Sequence, residues 1–266
     1  MSGRESVLIV LKVAFVALIA CTAAAQAEEC PRKDALGTAR VLVVDPATYP
    51  RVGVQSFPQS LPLQDHEIVL TFDDGPNPPT TTKVLAALAH ECVKATFFLI
   101  GQSAAAHPDL VKRIAAEGHS IGHHSWAHPD LKKIDHAQAL AQIDRGIAAD
   151  EMALYGRAST VPTTPFFRFP YFSSTPALLD VLQSRGIAVF GADFWASDWN
   201  KMTPDQELKL ISDRVKAAGK GIILFHDTKA QTAAMMPDFL RFLRENNYRI
   251  VHVVAPAPGK TVQRMP

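Results

Sequence analysis

The chain has 266 residues, of which 47% are hydrophobic and 20% are charged, and its formal net charge is +1. A chain of this size can bury one sizeable core, so we expect a single domain of about 200 residues together with processing segments. Because no run of five like charges occurs, the sequence favours neither a nucleic-acid partner nor a polybasic membrane patch.

The N-terminus has the pattern of a secretory signal. Arg4 and Lys12 precede an apolar stretch at residues 13–25, which leads into an Ala-Gln-Ala cleavage site, so we predict that residues 1–27 are removed. One alternative is a lipid anchor at Cys21, which ends a segment similar to the lipobox of bacterial lipoproteins. Another is an uncleaved anchor, which Lys12 disfavours because it interrupts the apolar span. Removal of residues 1–27 predicts a secreted or periplasmic protein with no transmembrane span in its mature form, and the alternative lipid anchor at Cys21 would also hold the domain outside the cytoplasm.

Two cysteines, Cys30 and Cys92, remain once the leader is removed. An even count in an oxidising compartment permits one disulfide, which would tie an N-terminal extension at residues 28–64 to the rest of the protein. The alternative is two unrelated buried thiols. We favour the disulfide, and the sequence alone leaves both open.

From residue 68 onward, short β-rich runs alternate with helical patterns. Strands are predicted at 68–72, 95–100, 120–123, 166–169, 187–192, 221–225 and 249–254. Helices are predicted at 80–90, 108–117, 136–155, 176–185, 204–218 and 236–246. Several of these helices have proline near the start and glycine after the end, as helices commonly do. The chain is therefore a βα unit repeated about seven times.

Repeated βα units build either an open sheet or a closed barrel. Polar residues follow five of the predicted strands, at Asp73, Asp74, His124, Arg168, 193–199, His226 and Asp227. Side chains from so many strand ends converge only at the mouth of a barrel. The sequence therefore predicts an α/β fold, a distorted (β/α)7-type barrel in a single domain. No Gly-x-Gly-x-x-Gly or P-loop pattern follows the first strand, so nucleotide binding has no support.

The carboxylates and imidazoles predict a metal site. Asp73 and Asp74 end an apolar strand, while His124 and His128 lie four positions apart, a spacing that places two side chains on one face of a helical turn. One carboxylate and two imidazoles suit a divalent cation, and the second carboxylate is free to handle a proton. Alone, each pattern is weak, because Asp-Asp-Gly-Pro is also a turn signal.

Five segments occur in the order and spacing typical of one enzyme family. They are 71–76 (TFDDGP), 124–128 (HSWAH), 168–171 (RFPY), 198–199 (DW) and 224–227 (LFHD). In these segments the chain resembles the NodB-homology polysaccharide deacetylases, carbohydrate esterase family four. The resemblance covers residues 65–254, which we take as the domain. The tail at 255–266 and the extension at 28–64 carry no recognisable chemistry.

The resemblance implies a metal held by Asp74, His124 and His128. We expect zinc, although cobalt, nickel and manganese suit the same ligands. It also implies that Asp73 is the general base and that Arg168 orients it. His119 and His123 are not ligands in the family pattern and are expected to be structural.

Opposite the base, the resemblance implies that His226 protonates the departing amine. The backbone N–H of Tyr171, which follows Pro170 in the third segment, is the expected oxyanion donor. Leu224 and Trp199 are expected to hold the acetyl methyl group. Pro170 and Tyr171 complete the predicted substrate-binding set.

The chain departs from the family pattern at two positions. Trp195 stands where the family commonly has the aspartate that tunes the catalytic histidine, so either Asp193 or Asp198 must substitute for it, or His226 lacks that support. Phe172 replaces a glycine. These changes bear on the pKa of the acid and on substrate fit rather than on metal binding.

The resulting prediction is a metal-dependent hydrolase that removes N-acetyl groups from an N-acetylglucosamine-containing polysaccharide or oligosaccharide of chitooligosaccharide or peptidoglycan type. Alternatives are an O-acetyl polysaccharide esterase, a non-sugar amide hydrolase of the same superfamily and a silent sugar-binding module. A glycosidase is disfavoured because its two carboxylates must flank a bond. Four aromatic residues, Trp126, Phe172, Trp195 and Trp199, are candidates for stacking on sugar rings or for core packing. The oligomeric state has no sequence signal.

Overall fold

The structure is a computed structural model, and it describes residues 30–257. The predicted signal at residues 1–27, with the alternative lipid site at Cys21, lies outside the described residues and stays a prediction. None of the helices within residues 30–257 combines the length and the hydrophobicity that a membrane-spanning helix needs.

Ten strands form a parallel sheet within residues 30–257. The strands are β1 Thr38–Val43, β2 Arg51–Val52, β3 Glu67–Asp73, β4 Thr96–Leu99, β5 Ser120–His123, β6 Phe166–Phe167, β7 Ala188–Phe190, β8 Phe194–Trp195, β9 Gly221–His226 and β10 Arg249–Val254. Seven of them wrap in the order β8-β9-β3-β4-β5-β6-β7. The predicted distorted barrel of about seven strands is therefore confirmed.

Seven α-helices connect the described strands. They are α1 Thr80–His90, α2 Gly101–Ala106, α3 Pro108–Ala116, α4 His136–Tyr155, α5 Pro176–Ser184, α6 Pro204–Ala218 and α7 Ala230–Glu245. Local caps explain several boundaries: α6 begins with a capping box between Thr203 and Gln206, and α4 ends at Gly156 in the left-handed conformation. The predicted start of α7 at residue 236 was wrong, because Pro237 lies inside the helix rather than at its first turn.

The N-terminal extension belongs to the sheet, which the sequence did not predict. β1 pairs with β10 at one edge, and β2 pairs with β7 at the other. Arg40 of β1 donates to both carboxylate oxygens of Glu67, at 2.9 and 2.7 Å. This pairing, opposed by the burial of the carboxylate, lowers the pKa of Glu67 to about 2. Cys30 and Cys92 form the predicted disulfide, with their Cα atoms 5.7 Å apart.

The extension also covers the seam between β7 and β8, which do not pair with each other among the described strands. Asp193, in this seam, accepts from the backbone N–H of Val54 at 2.9 Å and from the hydroxyl of Ser60 at 2.6 Å. It also accepts from the backbone N–H of Ile222 in β9, at 2.8 Å. One carboxylate thus connects the extension to β9 beside the opening.

The core lies between the central strands and the helices that cover them. All seven residues of β3 are buried, as expected for a parallel strand that is covered on both faces. Outside the barrel, the ring of Phe72 stacks on Phe97 at 5.0 Å and on Phe225 at 5.6 Å. Each such ring contributes roughly 1.5–3 kcal/mol by burial. This packing fixes the end of β3, where the predicted site begins.

Candidate active site

Two carboxylates leave the end of β3 in different directions. Asp73 is the last residue of the strand and is 2% exposed, while Asp74 has a φ of 75°, in the left-handed region that few residues other than glycine adopt. At the next position, a Cβ atom on Gly75 would collide with the carboxylate of Asp227. Asp227 is fully buried and accepts from the hydroxyl of Thr81. Glycine is therefore required at position 75, where the backbone passes close to this carboxylate.

Asp74, His124 and His128 bring three potential metal ligands together. Nε2 of His124 lies 3.5 Å and Nε2 of His128 lies 3.4 Å from Oδ1 of Asp74. The helical-turn explanation for the histidine pair was wrong, because residues 124–128 form a loop. Positive φ values at Ser125 (68°) and His128 (57°) turn this loop back toward Asp74.

The hydrogen bond of His124 fixes which of its ring nitrogens faces Asp74. Nδ1 lies 2.7 Å from the carbonyl oxygen of Arg168, and because a carbonyl only accepts, Nδ1 carries the proton. Nε2 therefore presents a lone pair to Asp74. Burial, offset in part by the charge of Asp74, lowers the pKa of His124 to about 3, so the ring is neutral. A neutral imidazole held through its other nitrogen is the usual form of a metal-binding histidine.

These three residues fit a metal ion. Oδ1 of Asp74 is buried and has no hydrogen-bond partner, although the lone pair of His124 points toward it. Two acceptors facing one another are unfavourable unless a cation lies between them. A tetrahedral ion with ligand distances of about 2.1 Å would separate its ligand atoms by about 3.4 Å. The observed separations of 3.4 and 3.5 Å match that spacing.

Arg168 is fully buried and fixes the position of Asp73. One terminal nitrogen donates to Oδ1 of Asp73 at 2.7 Å and to the hydroxyl of Thr71 at 2.8 Å, and the other donates to the carbonyl of Gly191 at 2.7 Å. Burial raises the pKa of Asp73 above its ordinary value, while Arg168 opposes that shift. The other carboxylate oxygen, Oδ2, lies 3.7 Å from Nε2 of His124. Asp73 is therefore held beside the metal ligands with one oxygen free of Arg168.

His226 lies on the opposite side of Asp74 and is paired with Asp198. Nδ1 of His226 lies 2.7 Å from Oδ1 of Asp198, and its backbone N–H donates to Oδ2 at 2.6 Å. Burial alone would lower the pKa of His226, but Asp198, together with Asp73 and Asp74, raises it to about 9. Of the two candidate aspartates, Asp198 therefore contacts the histidine, whereas Asp193 lies in the seam between β7 and β8.

A cavity of about 590 Å³ joins these groups. Its wall includes both carboxylates, His124, His128 and His226, with Phe169, Tyr171, Phe172, Trp195, Trp199, Leu224 and Lys229. Trp126 is not part of this wall and instead packs under the guanidinium of Arg145, 3.8 Å from the ring centroid. Pro170 is buried and also lies outside the wall.

Tyr171 lies at the rim of the cavity with a φ of 57°. Its ring contacts His128 edge-on, with centroids 4.6 Å apart. Among the described residues, no protein group accepts from its backbone N–H. Trp199 and Leu224 line the opposite wall, and the Trp199 ring meets His226 edge-on at 6.0 Å. An apolar wall thus faces the polar centre.

The two remaining histidines of this region lie away from the cavity. His119 accepts from the backbone N–H of Ala95 at 3.1 Å, and burial lowers its pKa to about 3. His123 pairs with Asp150 at 2.7 Å, and both are buried. Neither side chain is near the three metal-ligand candidates.

Sequence reasoning missed several residues that support the site. Lys229 lines the cavity, and Thr71 supports Arg168. Glu207 and Thr232 form a buried connection to Asp198 from α6 and α7. A Thr or Glu inside an amphipathic helix gives no local signal of such a role, because its partners are distant in the chain.

Comparison with known proteins identifies the family. The model of the family described as polysaccharide deacetylase matches residues 61–190. The chain is 37% identical over 168 residues to the chitooligosaccharide deacetylase of Rhizobium leguminosarum bv. trifolii, covering 61% of this chain and 72% of that protein. It is 33% identical over 188 residues to the peptidoglycan-N-acetylglucosamine deacetylase of Listeria monocytogenes, covering 70% of this chain and 38% of that protein.

A solved structure agrees with these matches. The peptidoglycan deacetylase of Bdellovibrio bacteriovorus aligns with a TM-score of 0.74 at 30% identity, covering 87% of this chain and 63% of that one. The chain thus spans less than two thirds of both the Listeria and the Bdellovibrio proteins. From its sequence and its fold, the chain belongs to the polysaccharide deacetylase family, the NodB-homology proteins of carbohydrate esterase family four.

Proposed function

We propose that this protein is a metal-dependent hydrolase that removes N-acetyl groups from an N-acetylglucosamine-containing polysaccharide or oligosaccharide and releases acetate. The observation that carries the proposal is the buried, unpartnered Oδ1 of Asp74, which faces His124 and His128. Asp73 and His226 line the same cavity, with Oδ2 of Asp73 3.7 Å from Nε2 of His124 and Nε2 of His226 3.9 Å from Oδ2 of Asp74. Family membership supports the same reaction.

Hydrolysis of an N-acetyl group needs an activated water, stabilisation of an oxyanion and a proton for the amine. Asp74, His124 and His128 would hold a divalent ion, for which zinc suits the mixed N/O ligands. When bound, such an ion acts as a Lewis acid and lowers the pKa of water. The protein side chains supply the remaining requirements.

Asp73 is the candidate general base. Arg168 holds one of its oxygens at 2.7 Å, which leaves the other directed toward the centre. A base is most effective when its pKa approaches the working pH, and burial raises the pKa of Asp73 in that direction. Arg168 therefore serves to orient the carboxylate that accepts the proton from water.

His226 is the candidate general acid. Its Nδ1 proton is held by Asp198, so Nε2 faces the cavity, 3.9 Å from Oδ2 of Asp74. With a pKa raised to about 9, the imidazole is charged near neutral pH and has a proton to donate. Donation from Nε2 to the amine nitrogen completes cleavage of the C–N bond.

The remaining wall residues suit an acetyl group. The free backbone N–H of Tyr171 is a candidate donor to the oxyanion. Leu224, which is 3% exposed, and the Trp199 ring offer an apolar surface to the acetyl methyl group. The exposed aromatic rim, which includes Tyr171 and Trp199, suits the faces of sugar rings.

The substrate is proposed to lie outside the cytoplasm. The names of the relatives favour peptidoglycan or chitooligosaccharide as the polymer. The disulfide between Cys30 and Cys92 supports an oxidising compartment, because such bonds rarely persist in the cytosol. The predicted signal at residues 1–27 agrees with that location.

The test is acetate release by the zinc-loaded protein from N-acetylated chitooligosaccharide, peptidoglycan and O-acetylated xylan, each with and without chelator. We expect release from at least one N-acetylated polymer, loss on chelation and recovery when zinc is restored. Asp74→Asn should abolish both zinc binding and release, whereas Asp109→Asn, at a fully exposed side chain, should change neither. Zinc binding without any release would point to a silent binding module, and release from xylan alone would reassign the protein as an O-acetyl esterase.

A further inference from the structure

A chain of buried hydrogen bonds continues from His226 away from the cavity. Asp198 accepts from the imidazole and from the backbone N–H of His226, at 2.7 and 2.6 Å. Behind it, the hydroxyl oxygen of Thr232 lies 2.9 Å from Oδ2 of Asp198 and 2.8 Å from Oε1 of Glu207. Thr232 is on α7 and Glu207 is on α6, so two helices converge on the partner of the candidate acid.

The positions of the protons in this chain of hydrogen bonds determine which of its two carboxyl groups is ionised. A threonine hydroxyl has one hydrogen and can donate to only one of two carboxyl groups. Asp198 already accepts two N–H donors from His226, so it is the ionised member. For both contacts of Thr232 to be hydrogen bonds, Thr232 donates to Asp198, and Glu207 carries a proton that it donates to Thr232.

The burial of these side chains favours the same assignment, with Asp198 ionised and Glu207 protonated. Asp198 is 1% exposed, and Thr232 and Glu207 have no exposed surface. Two ionised carboxylates on either side of one hydroxyl would repel each other without water to screen them. Burial, with a further contribution from the charge of Asp198, raises the pKa of Glu207 to about 7, against opposing effects from Thr232 and His226.

We propose that Thr232 and protonated Glu207 are positioning residues that hold Asp198 in the orientation His226 needs. Asp198 itself contacts the histidine, and α6 and α7 support Asp198 from behind through these two side chains. Gln231 adds to this support by donating to the backbone carbonyl of Asp198 at 2.7 Å. Neither Thr232 nor Glu207 lines the cavity, so neither contacts the substrate.

The first experiment uses infrared spectroscopy to detect the proton on Glu207 directly. A protonated buried carboxyl group has a C=O stretching band distinct from carboxylate bands. The infrared difference spectrum between the metal-free wild-type protein and Glu207→Gln, at about pH 6, should lose one such band. Because other buried carboxyl groups are present in both proteins, the difference isolates Glu207. Absence of any lost band would overturn the assignment.

The second experiment measures kcat and KM and rests on the proposed deacetylase function. Glu207→Gln, whose amide also donates to Thr232, and Thr232→Ser should keep kcat within about twofold. Glu207→Met and Thr232→Val, which interrupt the hydrogen bonds behind Asp198, should lower kcat roughly tenfold with KM unchanged. Thr96→Val is the matched control, because it removes the hydroxyl of another buried threonine, one that has no hydrogen-bond partner, and should leave kcat unchanged.

The outcomes separate the two proposals. Equal losses in Glu207→Gln and Glu207→Met, or a kcat for Thr232→Val equal to that of Thr96→Val, would overturn the positioning role. If an apolar variant fails to fold, the rescue by Gln and Ser and the infrared band still decide the matter. If the wild-type protein releases no acetate, the proposed function fails, whereas the infrared measurement on metal-free protein still tests the proton on Glu207.

Discussion

At the scale of single residues, the site depends on side chains held by buried partners rather than by their own strands. Arg168 and Asp198 are not among the three candidate metal ligands, yet each contacts a group that is proposed to transfer a proton. A buried charged side chain is costly unless it is paired, so these pairs persist only because each charge meets its partner at short range.

Removing the charge of Asp198 should separate proton donation from metal binding. We predict that Asp198→Asn lowers kcat by about tenfold or more, because the imidazole loses its anionic partner, while zinc affinity changes little. Acetate-release kinetics and calorimetric zinc titration are the two measurements. An unchanged kcat would remove Asp198 from the mechanism, and a matching loss of zinc affinity would show that it acts through the metal ligands.

The pKa of His226 links this pair to stability. Its folded-state pKa of about 9 lies above the ordinary value of 6.5, so the stabilisation is fully present below pH 6.5 and is lost as the pH rises through 9. The total is on the order of 3 kcal/mol. In metal-free protein, an NMR titration should place His226 well above 6.5, and Asp198→Asn should bring it down. Equal pKa values in the two proteins would contradict this.

The predictability of the site also has a residue-scale reason. Most of the site residues could be identified from the sequence, because they lie in short segments with recognisable spacing. These residues are the two aspartates, the paired histidines, Arg168 and His226. The choice between Asp193 and Asp198 could not be made, because it depends on how the loop after β8 folds back over β9. The roles of Thr232 and Glu207 are contacts between two helices and have no local signature.

At the scale of elements, prediction succeeded where a pattern was long or capped. α1, α4 and α6 have their predicted bounds, and the central strands were found to within a few residues. The missed strands β2 and β8 have two residues each, and such pieces are strands only because a neighbour pairs with them. β1 was missed as well, although its alternating burial is typical of a strand at a sheet edge.

The disulfide joins an element to the domain and can be tested as such. The double variant Cys30→Ser with Cys92→Ser should lower the free energy of unfolding by about 4 kcal/mol, because the bridge spans 62 residues and restricts the unfolded chain. Urea denaturation measures the change. Acetate release at low temperature should persist, since neither cysteine lines the cavity. An unchanged urea midpoint would show that the bridge does not stabilise the fold.

At the scale of the whole molecule, metal binding and folding should be coupled. The three candidate ligands come from the end of β3 and from the loop after β5, so a bound ion joins two segments that are far apart in the chain. At a free zinc concentration one hundred times the dissociation constant, binding should add about 2.7 kcal/mol to stability. Thermal unfolding with zinc and with chelator measures this difference. His128→Ala should lose most of it, and a wild-type protein with identical melting in both conditions would contradict a preformed metal site.

The contacts of Val54 and Ser60 with Asp193 have a practical consequence for the production of this protein. A clone that starts at residue 61, where the family match begins, would omit two edge strands, one half of the disulfide and the cover of the opening in the barrel. Apolar interior would then meet solvent beside β8, whose Trp195 lines the cavity of the candidate active site. The smallest unit worth expressing therefore includes Cys30 and the edge strands β1 and β2, well upstream of the segment at residues 71–76.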